Sequence, residues 1–280
     1  MSDWRTDELA VPRPGATGWM LILLRGGVLG ALVYVCLVLL LLIRLVEKPL
    51  FGMKRPWTPF LTRFVCRMAF PILGIGYRVT GKPMTERGAI VANHSSWLDI
   101  FALNAAQRIY FVAKAEVEFW AAIGWLARAT GTVFIARKGN EARAQQRVFE
   151  ERLRAGHRLL FFPEGTSTDG LHLLPFKSTL FAAFYSHGLD QIMQIQPVTV
   201  VYHAPAGADR RYYGWWAEMG FASHLLKVLA TARQGRVEVV FHQPLIVDQF
   251  PDRKVLAAEC EKVIRSGHPL LSDRALETVG

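Results

Sequence analysis

Residues Asn93-His94-Ser95-Ser96-Trp97-Leu98-Asp99 set a potential base and a carboxylate five positions apart, at the end of the apolar run Gly88-Ala89-Ile90-Val91-Ala92. That run reads as a short buried strand. Ser95 or Ser96 offers a helix N-cap, and Leu98, Ile100, Phe101 and Leu103 begin an apolar helix face. Two residues five apart on one helix point about 140° apart around its axis, at 3.6 residues per turn. His94 and Asp99 therefore meet only if His94 stands outside the helix and Asp99 sits in its first turn. The same residues fit a bland pattern too. Ser96-x-x-Asp99 resembles a capping box, in which Asp99 bonds to backbone and merely stabilises the helix start.

Three further segments place polar groups at the ends of apolar runs. In Phe161-Phe162-Pro163-Glu164-Gly165-Thr166, Pro163 ends strand pairing because it lacks an N–H, and Gly165 admits a positive φ. Glu164 is thus held in a sharp bend at a strand's end, where α/β sheets bind ligands, or else faces water as a surface turn. Gly131-Thr132-Val133-Phe134-Ile135-Ala136-Arg137 ends a strand on an arginine, whose planar fork suits phosphate or carboxylate, and Lys138 follows. Lys114 is a second cation in an equivalent position. Either is equally a solvated charge. Pro197 opens the strand Gln196-Pro197-Val198-Thr199-Val200-Val201, as an edge-strand signal or as part of a binding site. Gly76-x-x-x-x-Gly81-Lys82 mimics a phosphate-binding loop but continues with Pro83 where Ser or Thr is required. The remaining histidines show no metal-ligand spacing, so no metal is expected.

The elements that must position these groups alternate in type. Strands are expected at 77–80, 89–92, 109–112, 132–135, 158–162, 195–202 and 236–241. Helices are expected at 97–104, 115–128, 141–155, 177–187, 215–231 and 252–265. Alternating strands and helices imply an α/β layer architecture.

Of 280 residues, 51% are hydrophobic, and 33 Lys+Arg against 23 Asp+Glu leave a net charge of +10. Such a chain is too apolar for disorder and basic enough to seek nucleic acid or anionic lipid. Its N-terminal region favours lipid, and no nucleic acid partner is expected. From Gly26 to Ile43 there are 18 residues without a charge, about enough to span a bilayer. Trp57 and Phe60 follow, interleaved with Lys48, Lys54, Arg55, Arg63 and Arg67, a composition suited to a membrane interface. Residues 1–72 are read as anchor and interfacial segment, and 73–280 as the catalytic domain. A re-entrant hairpin broken near Arg25-Gly26-Gly27 is the alternative to a single span. The basic residues after the apolar run place the bulk of the chain on the cytoplasmic side of the membrane. Cys36, Cys66 and Cys260 form no CxxC pair, which fits a reducing compartment.

Taken in order, the four motif segments resemble the glycerolipid acyltransferases, whose type member acts on 1-acyl-sn-glycerol-3-phosphate. The family pattern NHxxxxD, GxxFIxR, FPEGTxS and a proline-bearing strand corresponds to Asn93–Asp99, Gly131–Arg137, Phe162–Ser167 and Pro197, and covers roughly residues 77–245. The resemblance implies a mixed sheet flanked by helices, with a hydrophobic N-terminal membrane anchor. It implies His94 as general base, a task suited to an imidazole whose ordinary pKa is about 6.5, and Asp99 as the group that orients it. Lys114, Arg137, Glu164, Gly165, Thr166 and Pro197 would bind or position the acceptor. The donor would be a fatty acyl thioester on acyl carrier protein or CoA, without a further cofactor. Many members carry arginine where this chain has Ser167, and Asp169 adds a negative charge. That departure looks more like the branch acting on lyso-ornithine lipid, while Arg137 and Lys114, which could bind a phosphate, keep 1-acylglycerol-3-phosphate (lysophosphatidate) as the alternative acceptor. A lipid hydrolase and a non-catalytic lipid-binding protein are the competing classes.

Overall fold

The computed structural model describes residues 4–6, 9, 13–120, 123–135, 142–185, 189, 193–269 and 271, with backbone alone for 142–146. The chain opens with helix α1 (Ala16–Phe51), followed by α2 (Thr58–Leu73). Strands β1 (Gly76–Thr80) and β2 (Gly88–Ala92) lead into α3 (Leu98–Ala106). Next come β3 (Tyr110–Lys114), α4 (Ile123–Thr130), β4 (Val133–Ile135), α5 (Ala142–Arg154) and β5 (Leu159–Phe161). The last part holds β6 (Gln194–His203), α6 (Phe221–Ala230), β7 (Arg236–Phe241), β8 (Leu245–Ile246) and α7 (Arg253–Ser266).

The strands form one mixed sheet in the order β1-β7-β6-β2-β5-β3-β4, with β8 also pairing β6. From β6 to β4 every pairing is parallel, whereas β7 and β8 run antiparallel to β6. Both faces are covered, so β2 and β5 are apolar on every residue rather than on alternate ones, and the polar Gln196 and Thr199 of β6 are buried with their hydrogen bonds made. Along β2, Ile90 and Ala92 face a core shared with α1, α2, α3 and α6, while Ala89 and Val91 face one shared with α5, α7 and the 3-10 helix Ser178–Tyr185. Ile22 and Leu29 of α1 and Phe70 and Leu73 of α2 belong to the first of these cores.

Four expectations change. The helix runs unbroken through Arg25-Gly26-Gly27, which removes the hairpin. Arg25 instead caps the far end of α6, donating from Nη1 to Leu229 O at 3.2 Å and to Thr231 O at 2.7 Å; a cation there satisfies orphan carbonyls and the negative end of the helix dipole. The segment after α1 is helical as α2, because Glu47 of α1 accepts Trp57 N at 2.7 Å and Thr58 N at 3.1 Å and so supplies the N-terminal cap that α2 lacks locally. The helix expected at 115–128 divides into a 3-10 helix, Ala115–Phe119, and α4; five residues are too few for sequence periodicity to separate the two helical pitches. The helix expected at 215–231 begins only at Phe221, since Trp215 N is committed to Ser95 O at 2.8 Å.

Pro197 is a further correction. It lies inside the sheet, not at an edge: β2 pairs with β6 on one side, and β7 and β8 on the other. The missing N–H costs nothing there, because β8 pairs only as far as Ile195 and β7 begins at Val198. Pro197 O still accepts His242 N at 3.1 Å.

Candidate active site

Strand β2 ends at Ala92, and the Asn93 side chain carries its ladder one step further. Asn93 Nδ2 donates to Val200 O at 2.9 Å and Asn93 Oδ1 accepts Val200 N at 2.8 Å, an amide standing in for a peptide group. The backbone is thereby free to turn away from the sheet at His94. In the first turn of α3 the Asp99 carboxylate then faces back toward it. Asp99 Oδ2 lies 2.7 Å from His94 Nδ1 and accepts Ser95 N at 2.8 Å and Ser96 N at 3.0 Å. Asp99 Oδ1 accepts the Tyr202 hydroxyl at 2.7 Å. The helix-start role and the histidine-orienting role are thus performed by one carboxylate. The N-cap position itself falls on Trp97, with no side-chain cap.

This geometry assigns the tautomer. Asp99 is fully buried and acts as acceptor toward two N–H groups and one O–H, so Nδ1 carries the hydrogen and Nε2 is the basic nitrogen. The imidazole side chain is 19% exposed and lies flat on Phe162, with ring centroids 4.1 Å apart. Among the described residues no hydroxyl or thiol is hydrogen-bonded to that ring.

The backbone of residues 94–96 is tied down on both sides. His94 N donates to Glu164 Oε1 at 2.7 Å, and His94 O accepts Thr168 N at 2.9 Å. Ser95 O accepts Trp215 N at 2.8 Å. The second Glu164 oxygen accepts Leu174 N at 2.8 Å. Glu164 is therefore buried beneath the loop rather than displayed on a turn. Burial pushes its carboxyl up to about 8, against the pull of the two N–H donors. Burial and the Asp99 charge likewise raise the Tyr202 phenol well above its usual range, which keeps it a hydroxyl donor.

The remaining candidates are dispersed. Gly165 follows Glu164 in the same turn, Thr166 is exposed beside it, and Lys114 is exposed at the end of β3. Pro197 is buried in β6, in register with Val91. Arg137 and Lys138 lie outside the described residues. Asp169 presents no charge to an acceptor: it is buried and bound to His172 Nδ1 at 2.9 Å and to Leu171 N at 2.9 Å. Tyr202 and Thr168 escaped the sequence reading. Tyr202 carries one faint signal, sharing the alternation of Val198 and Val200; nothing local marks Thr168.

The Acyltransferase family model matches residues 77–202, which contain the whole dyad and its supports. A lyso-ornithine lipid O-acyltransferase of Rhodobacter capsulatus is 61% identical over 94% of this chain and 96% of that protein. The chain belongs to the acyltransferase family. A 1-acyl-sn-glycerol-3-phosphate acyltransferase of Neisseria gonorrhoeae is 33% identical to this acyltransferase over 71% of its chain and 76% of that protein. The crystal structure of the PlsC acyltransferase from Thermotoga maritima superposes with a TM-score of 0.63 at 21% identity, covering 92% of this chain and 96% of that one, and so shows the shared fold.

Proposed function

We propose that this acyltransferase moves a fatty acyl group from a thioester, on acyl carrier protein or CoA, to the free hydroxyl of lyso-ornithine lipid at the cytoplasmic face of a membrane. The observation that carries the chemistry is the 2.7 Å contact between His94 Nδ1 and Asp99 Oδ2, which leaves Nε2 as the base. Nε2 takes the acceptor's hydroxyl proton as its oxygen attacks the thioester carbon. The ester C–O bond forms, the C–S bond breaks, and the thiolate leaves with the proton held by His94. Asp99 stabilises the imidazolium between these steps. The products are a two-chain lipid and a free thiol.

The acceptor is argued from the Rhodobacter relative's name and from Ser167, which replaces an arginine. Asp169, buried and hydrogen-bonded to His172, does not face the acceptor side of that choice. The membrane reading rests on α1. Among the described residues it is the one helix long and apolar enough to cross a bilayer, and Leu23, Leu24, Val35, Leu42, Leu45 and Val46 are exposed along it. Both ends of α1 are also held by the rest of the fold: Gly18 packs on Ala230 of α6, and Glu47 binds Thr58 of α2, whose Phe70 and Leu73 join the core. A helix tied to one rigid body at each end is better suited to lie in the near leaflet than to carry chain across. The Lys and Arg residues after α1 then meet anionic head groups.

Purified protein with acyl thioester and lyso-ornithine lipid should yield the two-chain lipid, with lysophosphatidate the poorer acceptor. Free fatty acid as the main product would instead make the protein a hydrolase.

A further inference from the structure

Two separate segments hold neighbouring carbonyls of the His94 loop. Thr168 N donates to His94 O at 2.9 Å, and Trp215 N donates to Ser95 O at 2.8 Å. Neither donor lies in a strand, so the sheet ladder does not fix the two segments to each other. They meet at Gly214, where a β-carbon would stand 2.6 Å from Asp169 O.

Both segments are also joined by one residue ahead of α1. The Trp4 indole lies flat on the His172 imidazole, with ring centroids 4.9 Å apart and planes 8° from parallel. Trp4 O accepts the Trp216 indole N–H at 3.0 Å. Trp216 is 2% exposed, and a buried indole N–H needs an acceptor. Here that acceptor comes from the stretch whose sequence reads as membrane anchor. His172 is fixed on its other edge, with Nδ1 at 2.9 Å from Asp169 Oδ1 and 3.0 Å from Oδ2. Thr168 Oγ1 donates to His172 O at 2.9 Å. The path from Trp4 to the His94 loop is thus short on both sides, through His172 and Thr168 on one and through Trp216 and Trp215 on the other. Leu9 and Pro14 line a cavity with Ala208 and Tyr212, so the chain ahead of α1 runs along the stretch that leads to Trp216.

We propose that Trp4 is a positioning residue for acyl transfer, a clasp across the two segments that hold the backbone at His94 and Ser95. It acts through His172 and Trp216 rather than on substrate. The proposal rests on the acyltransferase reading and extends the working site to the chain ahead of α1.

The test uses full-length wild type, Trp4→Ala, Trp4→Phe, His172→Ala and the double variant, with acyl thioester and lyso-ornithine lipid. Trp4→Ala should lower kcat about tenfold and leave the KM of either substrate within about twofold, because the bound arrangement changes and the binding contacts do not. Trp4→Phe keeps a ring for stacking and should recover kcat to within about threefold of wild type. Added to His172→Ala, Trp4→Ala should cost less than about twofold more, since its stacking partner is already gone. Hydrogen exchange reads the clasp without turnover. In Trp4→Ala the Thr168 and Trp215 amides should exchange about fivefold faster or more, while those of β2 and β6 keep the wild-type rate. Wild-type exchange at those two amides overturns the clasp. Unchanged kcat, or a rise in KM at constant kcat, overturns its part in the reaction. A phenylalanine variant as slow as the alanine one, or an equal loss from Trp4→Ala on both backgrounds, overturns the stacking contact as its means. Trp4→Leu takes the place of Trp4→Ala if the latter does not fold. Wild type that transfers no acyl group overturns the acyltransferase reading instead, and the exchange rates still decide the clasp.

Discussion

His94 is held at three points: its ring by Asp99 at Nδ1 and by Phe162 against one face, and its backbone N–H by Glu164. Only Nε2 is left to meet substrate. His94→Ala should lower kcat by about 10³-fold or more, the scale of a lost general base, and leave the melting temperature unchanged. A folded, fully active variant would remove the dyad from the mechanism. Tyr202 acts one step back, since its hydroxyl donates to Asp99 Oδ1 at 2.7 Å. Tyr202→Phe should reduce kcat by roughly tenfold, equivalent to about 1.4 kcal/mol, with acceptor KM little altered; a change in KM alone would place the tyrosine in binding. Glu164 makes stability depend on pH. Folded, it keeps its proton up to about 8, while its ordinary value is 4.5. In that window the folded state binds more protons than the unfolded one. The stability that Glu164 itself contributes is thus greatest below 4.5 and declines as pH rises toward 8. Glu164→Gln should flatten that decline, as read from melting temperatures at several pH values, and equal slopes in both proteins would refute it. The same variant should be less stable at every pH, because one backbone N–H then faces an amide N–H.

At the scale of elements, the site depends on joints between secondary structures. Asn93 is the joint between β2 and β6, and its two bonds to Val200 lie in the buried interior. Asn93→Ala leaves a buried N–H and C=O unpaired, at a cost of about 2–4 kcal/mol. Thermal unfolding would register that loss, and an unshifted melting temperature would show that the strands close without the side chain. The motif asparagine thus has a structural task, although it adjoins the proposed base His94 in sequence. Short apolar runs made β2, β5 and β6 legible as buried strands. The order of those strands was not, because parallel neighbours are far apart in sequence: Val91 pairs with Pro197, and Ile90 with Leu160. Proline at 197 suggested an edge for the same reason, since the gap between β7 and β8 that accommodates it is made by residues more than 40 positions away.

For the molecule as a whole, α1 does two tasks. One face joins the core through Ile22 and Leu29, and the other leaves leucines and valines exposed. Leu42→Glu with Leu45→Glu replaces two exposed apolar groups, each at about 3 kcal/mol in a lipid setting. The double variant should move from the membrane fraction to the soluble one while its melting temperature holds. Continued sedimentation with membranes would shift the anchor elsewhere.

The apolar run and the ordered motifs were enough to read an α/β acyltransferase with a long apolar N-terminal helix and to single out His94 and Asp99 as a pair that could meet, because these depend on residue type and local spacing. Tertiary structure decided what spacing cannot carry. It turned Glu164 inward to hold His94 and supplied Tyr202 from a distant strand. Each of those contacts joins segments that touch only after the sheet has closed, so the partners are chosen by packing and leave no periodic trace along the chain.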